Sequence, residues 1–449
     1  MTHPYVPATD QDKKAMLEAI GLDSIDDLFN DIPESFRIKD PLNLDKSKSE
    51  LEVLSYLTKL AKENKTVSDY PCFLGAGAYD HYIPTIIDSL ISRSEFYTSY
   101  TPYQPEISQG TLQSIFEFQT LIARLTGMDI ANASLYDGGT ACAEAAIMAC
   151  ASSRKGKILV SKTINPSSLE ILETYLKSQD LELVVVDMKD GKTDLEDLKA
   201  KLDDQTAGVI IQSPNFFGLI EDVEETTKLT HTAKKAAMIL STDPFSLGLL
   251  KTPGAMGVDI VVGEGQSLGL PLAYGGPYLG ILATNEKYMR KIPGRLIGET
   301  VDEDGKRAFV LTLAAREQHI KREKATSNIC TNQGLMALAA TIYMVTMGKE
   351  GMKEAAYQAT QKAHYAFEKL TASGKFKPLF DGPFFLEFAL TSDLDYETVN
   401  KALLDAGIIG GYNLGKDFPE FGNAILFAVT EKRSKEEIDK LVEVLEGIK

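Results

Sequence analysis

Between residues 157 and 262, short runs of Val, Ile and Leu alternate with segments of helical length, and few architectures tolerate that rhythm. The runs at 157–160, 181–186, 207–211, 237–240 and 258–262 are apolar without polar alternation, so both faces of each strand are expected to be buried. Connections of helical length join strands that run the same way, with helices packed on both faces of the sheet. The expectation is an α/β fold with a mainly parallel sheet from about residue 71 to residue 328, and with its sites at the C-terminal strand ends.

The flanks read differently. Thr9 and Asp12 have the spacing of a capping box ahead of Met16-Leu17-Glu18-Ala19-Ile20. A short helix at 24–29 should stop before Pro33, and a third at 51–60 carries apolar residues at helical spacing. Such an arm cannot bury an apolar face alone; it must wrap a neighbouring subunit or pack on its own large domain. Beyond Thr331, a long helical run through Leu335, Leu338, Ile342 and Met344 leads to strands at 384–390 and 424–429 and helices at 396–406 and 435–448. The expected division is an N-terminal helical arm at 1–68, a large α/β domain at 69–330, and a long helix with a small α+β domain at 331–449.

A chain of 449 residues exceeds what one hydrophobic core usually organises. A net charge of −17 argues against a nucleic-acid or anionic-membrane partner, since phosphate binding needs concentrated Lys and Arg. The acidity serves solubility or an acidic docking face. Cys72, Cys142, Cys150 and Cys330 lack CxxC spacing and fit reduced thiols, with Cys142 and Cys150 expected to pack as small hydrophobes. Met1-Thr2-His3-Pro4-Tyr5 shows no basic region ahead of an apolar core, and no apolar run approaches the roughly 18 residues of a spanning helix, so a cytoplasmic location is expected. The five histidines form no metal-ligand spacing.

Three places have the residues for chemistry. Tyr136-Asp137-Gly138-Gly139-Thr140 precedes an Ala-rich helix, where free N–H groups and the helix dipole favour an anion; the same residues also make an ordinary capped helix start. Tyr97, Tyr100, Tyr103 and Glu106 crowd a loop stiffened by Pro102 and Pro105, which suits either binding or interface packing. Arg316, His319, Lys321, Arg322 and Lys324 form a basic run, by default a solvated helix, in which Arg316 has the fork for a carboxylate.

Longer strings carry a resemblance. Phe73-Leu74-Gly75-Ala76-Gly77-Ala78-Tyr79-Asp80, Tyr100-Thr101-Pro102-Tyr103-Gln104-Pro105-Glu106, Gln212-Ser213-Pro214-Asn215-Phe216-Phe217-Gly218, Pro293-Gly294-Arg295 and the segment from Arg316 through Thr326-Ser327-Asn328 to Gln333 closely resemble the alpha subunit of the glycine cleavage system P-protein family. The resemblance implies an aspartate-aminotransferase-like fold of the pyridoxal-phosphate type I class. It also implies an assembly of two alpha and two beta chains that decarboxylates glycine and hands the aminomethyl group to the lipoyl arm of the H-protein.

In that fold the loop after the strand at 258–262 carries the cofactor lysine, and the position falls on Gln266. Asp243 stands 266 − 243 = 23 residues upstream, where relatives hold the pyridinium nitrogen. An amide is no nucleophile toward an aldehyde. Residues 161–166 also lack the aromatic or His that would stack on the ring. The resemblance therefore implies a vestigial pocket at Gly138, Gly139, Thr140, Asp243 and Gln266 with no covalently bound cofactor, the pyridoxal phosphate residing on beta. Tyr100, Tyr103, Glu106, Arg316 and His319 become candidates for a site shared with beta. Two rival readings are a scaffold that stabilises beta and docks H-protein, and a self-sufficient enzyme using another lysine such as Lys291 or Lys324.

Overall fold

The computed structural model describes residues 5–38, 40, 42–325, 327–329 and 331–448; His3, Thr326 and Cys330 lie outside them. Two compact units divide the chain, residues 1–64 and 65–449.

In the first unit, Thr9 caps the helix Asp10–Ile20 through the expected box, its hydroxyl accepting from Asp12 N–H while the Asp12 carboxylate takes the Thr9 N–H at 2.8 Å. Ser49 and Glu52 repeat the device at the helix Glu50–Ala61. Leu51, Leu54 and Leu57 of this second helix are each more than half exposed.

All five expected strands form in the second unit, within two residues of their expected bounds. With Ile130–Ala131 as β1, they are Lys157–Ser161 (β2), Glu182–Val186 (β3), Thr206–Gln212 (β4), Ala237–Ser241 (β5) and Ile260–Glu264 (β6), followed by Gly280–Thr284 (β7). The seven-stranded order is β1-β7-β6-β5-β4-β2-β3, parallel from β6 through β3, with β7 running against both its neighbours. Successive side chains go to opposite faces. Leu159, Val209, Ile211, Met238, Leu240 and Val261 face a core completed by Phe118 and Ile122 of the helix Gln109–Thr126 and by Ala340 and Tyr343. Ile158, Val160, Ile210, Ile239, Ile260 and Val262 face the Ala-rich helix Gly138–Ser153 and Leu172 and Leu176 of Pro166–Lys177. Cys142 and Cys150 are buried there as expected, and loss of hydration pushes their thiols up to about 12 and about 11.

The long C-terminal helix, Gly334–Ala372, is two helices joined at Gly348, whose φ of 60° and ψ of −176° no helix contains. Its first length packs on the large sheet, and its second length, through Ala363, Ala366 and Leu370, packs with the small domain. There, Lys377–Pro378, Glu387–Thr391, Ile425–Ala428 and Tyr412–Asn413 form an antiparallel sheet in that order, with Ile438, Leu441 and Leu445 of the helix Lys435–Gly447 in its core.

Candidate active site

The C-terminal ends of β4, β5 and β6 open into a cleft of about 450 Å³, where a sheet of this kind is expected to carry its site. Gln212, Thr242, Asp243 and Glu264 come from the strand ends, Asp137, Gly138 and Gly139 from the helix head, Asn165 from the turn after β2, and the segment 75–79 with Glu387 forms another wall. Asn165, in the segment 161–166 that lacks an aromatic ring, donates from Nδ2 to Ala76 O at 3.1 Å, and its Oδ1 caps the helix Pro166–Lys177.

Segment 75–82 is held from two sides by the small domain. Glu387 is buried, accepts the Ala76 N–H at 2.7 Å and the Tyr79 hydroxyl at 2.6 Å, and its carboxyl is pushed up to about 7, chiefly by burial. Arg433 donates to Asp80 at 3.0 Å with both side chains buried, and the Glu431 carboxylate lies 2.8 Å from His81 Nδ1 and accepts the Tyr82 N–H. An adverse backbone at Ala76, with φ of 65°, persists because Glu387 holds its N–H.

Helix Gly138–Ser153 begins with the N–H groups of Gly138 and Thr140 already engaged. Asp137 Oδ1 accepts Thr140 N–H at 2.7 Å, completing a capping box. Glu264 Oε2 accepts Gly138 N–H at 2.9 Å, while its Oε1 accepts from Leu279 and Gln266 N–H. Closeness here depends on glycine, since a Cβ at position 138 would stand 2.9 Å from the Glu264 nitrogen. Burial pushes the Glu264 carboxyl up to about 7; the N–H donors oppose this and the Asp137 charge reinforces it.

Gln266 does not point into the cleft. Its Oε1 accepts Tyr79 N–H at 2.9 Å, and its Nε2 donates to Tyr79 O at 3.0 Å and Leu270 O at 2.8 Å. The next residue, Ser267, faces inward and donates to Asp243 Oδ1 at 2.6 Å; Phe245 N–H donates to the same oxygen at 3.0 Å. Burial raises the Asp243 carboxyl above the ordinary range. Of the candidates for the pocket, Gly138, Gly139 and Asp243 line it, while Thr140 and Gln266 stand behind the wall.

This lining is mismatched to a phosphate ester. Asp137, Asp243, Glu264 and Glu387 supply four carboxylates, and no Lys or Arg lines the cleft among the described residues. Lys291 and Lys324, the alternative amines, are exposed and do not line it.

Of the second group of candidates, Tyr103 and Arg316 meet elsewhere, around the turn at 293–295. Arg295, only 3% exposed, donates from Nη2 to the Tyr103 hydroxyl at 3.1 Å and lies over that ring at 5.1 Å, a cation–π contact. Its Nη1 donates to Asn332 Oδ1 at 3.3 Å, and Asn332 in turn donates to Ala133 O and Ser134 Oγ. Arg316 reaches the same turn through Gly294 O at 2.9 Å; burial lowers its pKa, and its buried Nε finds no partner among the described residues. Tyr100 and Glu106 are exposed, and His319 lies 3.6 Å from Glu317, so these three candidates do not join Tyr103 and Arg316 at the turn. The helix expected through this run is replaced by three short turns, Ala314–Arg316, Gln318–Lys321 and Arg322–Lys324, because Leu313 and Arg322 both take φ of 52°. Tyr79 and Arg295 stand inside strings that carry the resemblance and Glu264 and Glu387 stand outside them; for all four only the fold reveals the partner.

The glycine cleavage system P-protein family model matches residues 3–445. A probable glycine dehydrogenase (decarboxylating) subunit 1 of Bacillus cereus is 55% identical over 448 residues, covering all of both chains. The crystal structure of a glycine decarboxylase (P-protein) of the glycine cleavage system, in inhibitor-bound form, superposes with a TM-score of 0.92 at 41% identity over the whole of both chains. The glutamate decarboxylase of Lactobacillus brevis, at 15% identity and a TM-score of 0.68 over 92% of this chain and 96% of that one, shares the fold.

Proposed function

The chain belongs to the glycine cleavage system P-protein family, and from that premise we propose that it is the alpha half of a divided glycine decarboxylase whose cofactor lysine is carried by a beta chain. Full-length similarity to a subunit named as the first of its enzyme is the observation that carries this reading. The acidic lining of the chain's own cleft, without lysine among the described residues, supports the placement of the cofactor elsewhere.

Pyridoxal phosphate, where bound, supplies an electron sink for the pair released as CO2 leaves glycine. This chain's part is positional. Arg295 holds the Tyr103 phenol in one orientation, the fixed pose that a shared site requires. Arg316, half-stripped of water and with donors to spare, offers a fork to a carboxylate, and Tyr100, Glu106 and His319 remain exposed toward a partner. The remaining parts of the proposal are the two-alpha, two-beta assembly, the lipoylated H-protein as acceptor, a cytoplasmic location, and a functional division at residues 1–68, 69–330 and 331–449.

The test pairs assembly with chemistry. Tyr103→Phe and Glu106→Gln are expected to leave the alpha–beta complex intact by sizing while lowering exchange of labelled CO2 into glycine on the order of 10²-fold, as loss of a positioned polar contact does at a reacting centre. Normal exchange in assembled complexes carrying both changes would instead mark this chain as a scaffold.

A further inference from the structure

The head of the helix Gly138–Ser153 is where a fold of this class receives the phosphate of a cofactor, because its first N–H groups and its dipole attract an anion. In this chain an anion is already there. Glu264, at the end of β6, brings Oε2 to 2.9 Å from Gly138 N, and the glycine permits an approach that any larger residue would block. The other oxygen is fixed by Leu279 N–H at 2.8 Å and Gln266 N–H at 3.1 Å, so the carboxylate is held by three backbone donors. Asp137 adds a second negative charge at the Thr140 N–H. Lys and Arg, which would neutralise a phosphate, are absent from the described lining.

We propose that Glu264 is a built-in counterpart of the cofactor phosphate, so that this chain excludes pyridoxal phosphate by occupying and charging the phosphate position as well as by lacking a lysine. The identity of the excluded ligand rests on the family reading; the exclusion itself rests on the Glu264 geometry. Two barriers then stand in series, and removing either alone leaves the other. A phosphate dianion entering the cleft meets the Glu264 and Asp137 charges within a few ångströms, where like charges repel. The same carboxylate binds the loop after β6 to the helix head, so the plug also maintains the wall it blocks.

Direct binding to the full chain, purified without its partner, tests this at about pH 8, above the value of about 7 at which Glu264 ionises. Pyridoxal phosphate and inorganic phosphate are the probes, followed by equilibrium dialysis. Glu264→Ala is expected to bind both at least about tenfold more tightly than the unaltered chain, and Glu264→Gln, which keeps the shape but not the charge, to gain several-fold. Gln266→Lys alone is expected to give no borohydride-trapped pyridoxyl adduct. Equal affinity in folded Glu264→Gln and unaltered chain, or a stoichiometric adduct in Gln266→Lys alone, would overturn the proposal. Glu264→Gln covers the case in which Glu264→Ala does not fold, and a melting curve on each sample separates the two. Neither result bears on the exchange assay, so failure here leaves the function reading standing.

Discussion

Gln266 commits all of its amide to the backbone: Tyr79 on one side and Leu270 on the other, within a side chain that is 1% exposed. Replacing it with Ala takes the partner from the Tyr79 N–H and from Leu270 O, while Tyr79 O keeps the His81 N–H at 3.1 Å; each unmet buried group costs about 1–3 kcal/mol. Gln266→Ala is therefore expected to lower the stability of the chain by several times the median of point substitutions, read as a shift of the denaturation midpoint. Glu387 makes a prediction with a sign. Its folded value of about 7 lies above the ordinary 4.5, so the folded state holds this proton more tightly and the group's contribution to stability falls as pH rises from about 4.5 through about 7. Glu387→Gln cannot titrate, so its melting temperature relative to the unaltered chain should improve between about pH 5 and about pH 8. A constant difference across that range would refute the raised value. At this scale the sequence showed which residues were unusual but not whom they met: Gln266 was legible as a missing lysine, while Glu264 and Glu387 each close on a backbone N–H more than a hundred residues away, at Gly138 and Ala76.

Elements were more legible than contacts. β2 to β6 follow directly from unbroken runs of Val, Ile and Leu, because burial on both faces leaves no polar position to blur the pattern. The two-residue strand β1 has no such run and was missed, as was β7 despite its apolar Ile281-Leu282-Ala283. The basic run at 316–324 misled for a definable reason: left-handed backbone at Leu313 and Arg322 is invisible in residues that ordinarily avoid it. Gly348 was equally silent inside a helical pattern. Its conformation is one that essentially only glycine adopts, and a Cβ there would meet nothing within 4 Å, so Gly348→Ala isolates the backbone cost. We expect about 1–3 kcal/mol of destabilisation, with no loss of assembly, from chemical denaturation of the variant.

For the molecule as a whole, the reading as one half of an enzyme makes a simple demand. The chain alone should show no glycine–bicarbonate exchange at any cofactor concentration, and adding the beta chain should restore it in proportion to the complex formed; exchange by the isolated chain would place a working lysine here after all. Fold class was legible across residues 71–328 because many short strands agree with one another. In residues 1–64 the first helix was legible through Thr9 and Asp12 and the helix Glu50–Ala61 through its apolar spacing, while the Ser49–Glu52 capping box that starts the latter went unread.

The bond between Glu264 and Gly138 also has a meaning in time. An enzyme that receives its phosphate from solution passes through an empty form, and its folding is tied to the supply of a vitamin. On the proposal made for Glu264, a carboxylate of its own at the helix head leaves this chain with no such empty form, so that its helix head is complete on folding and owes nothing to the supply of cofactor.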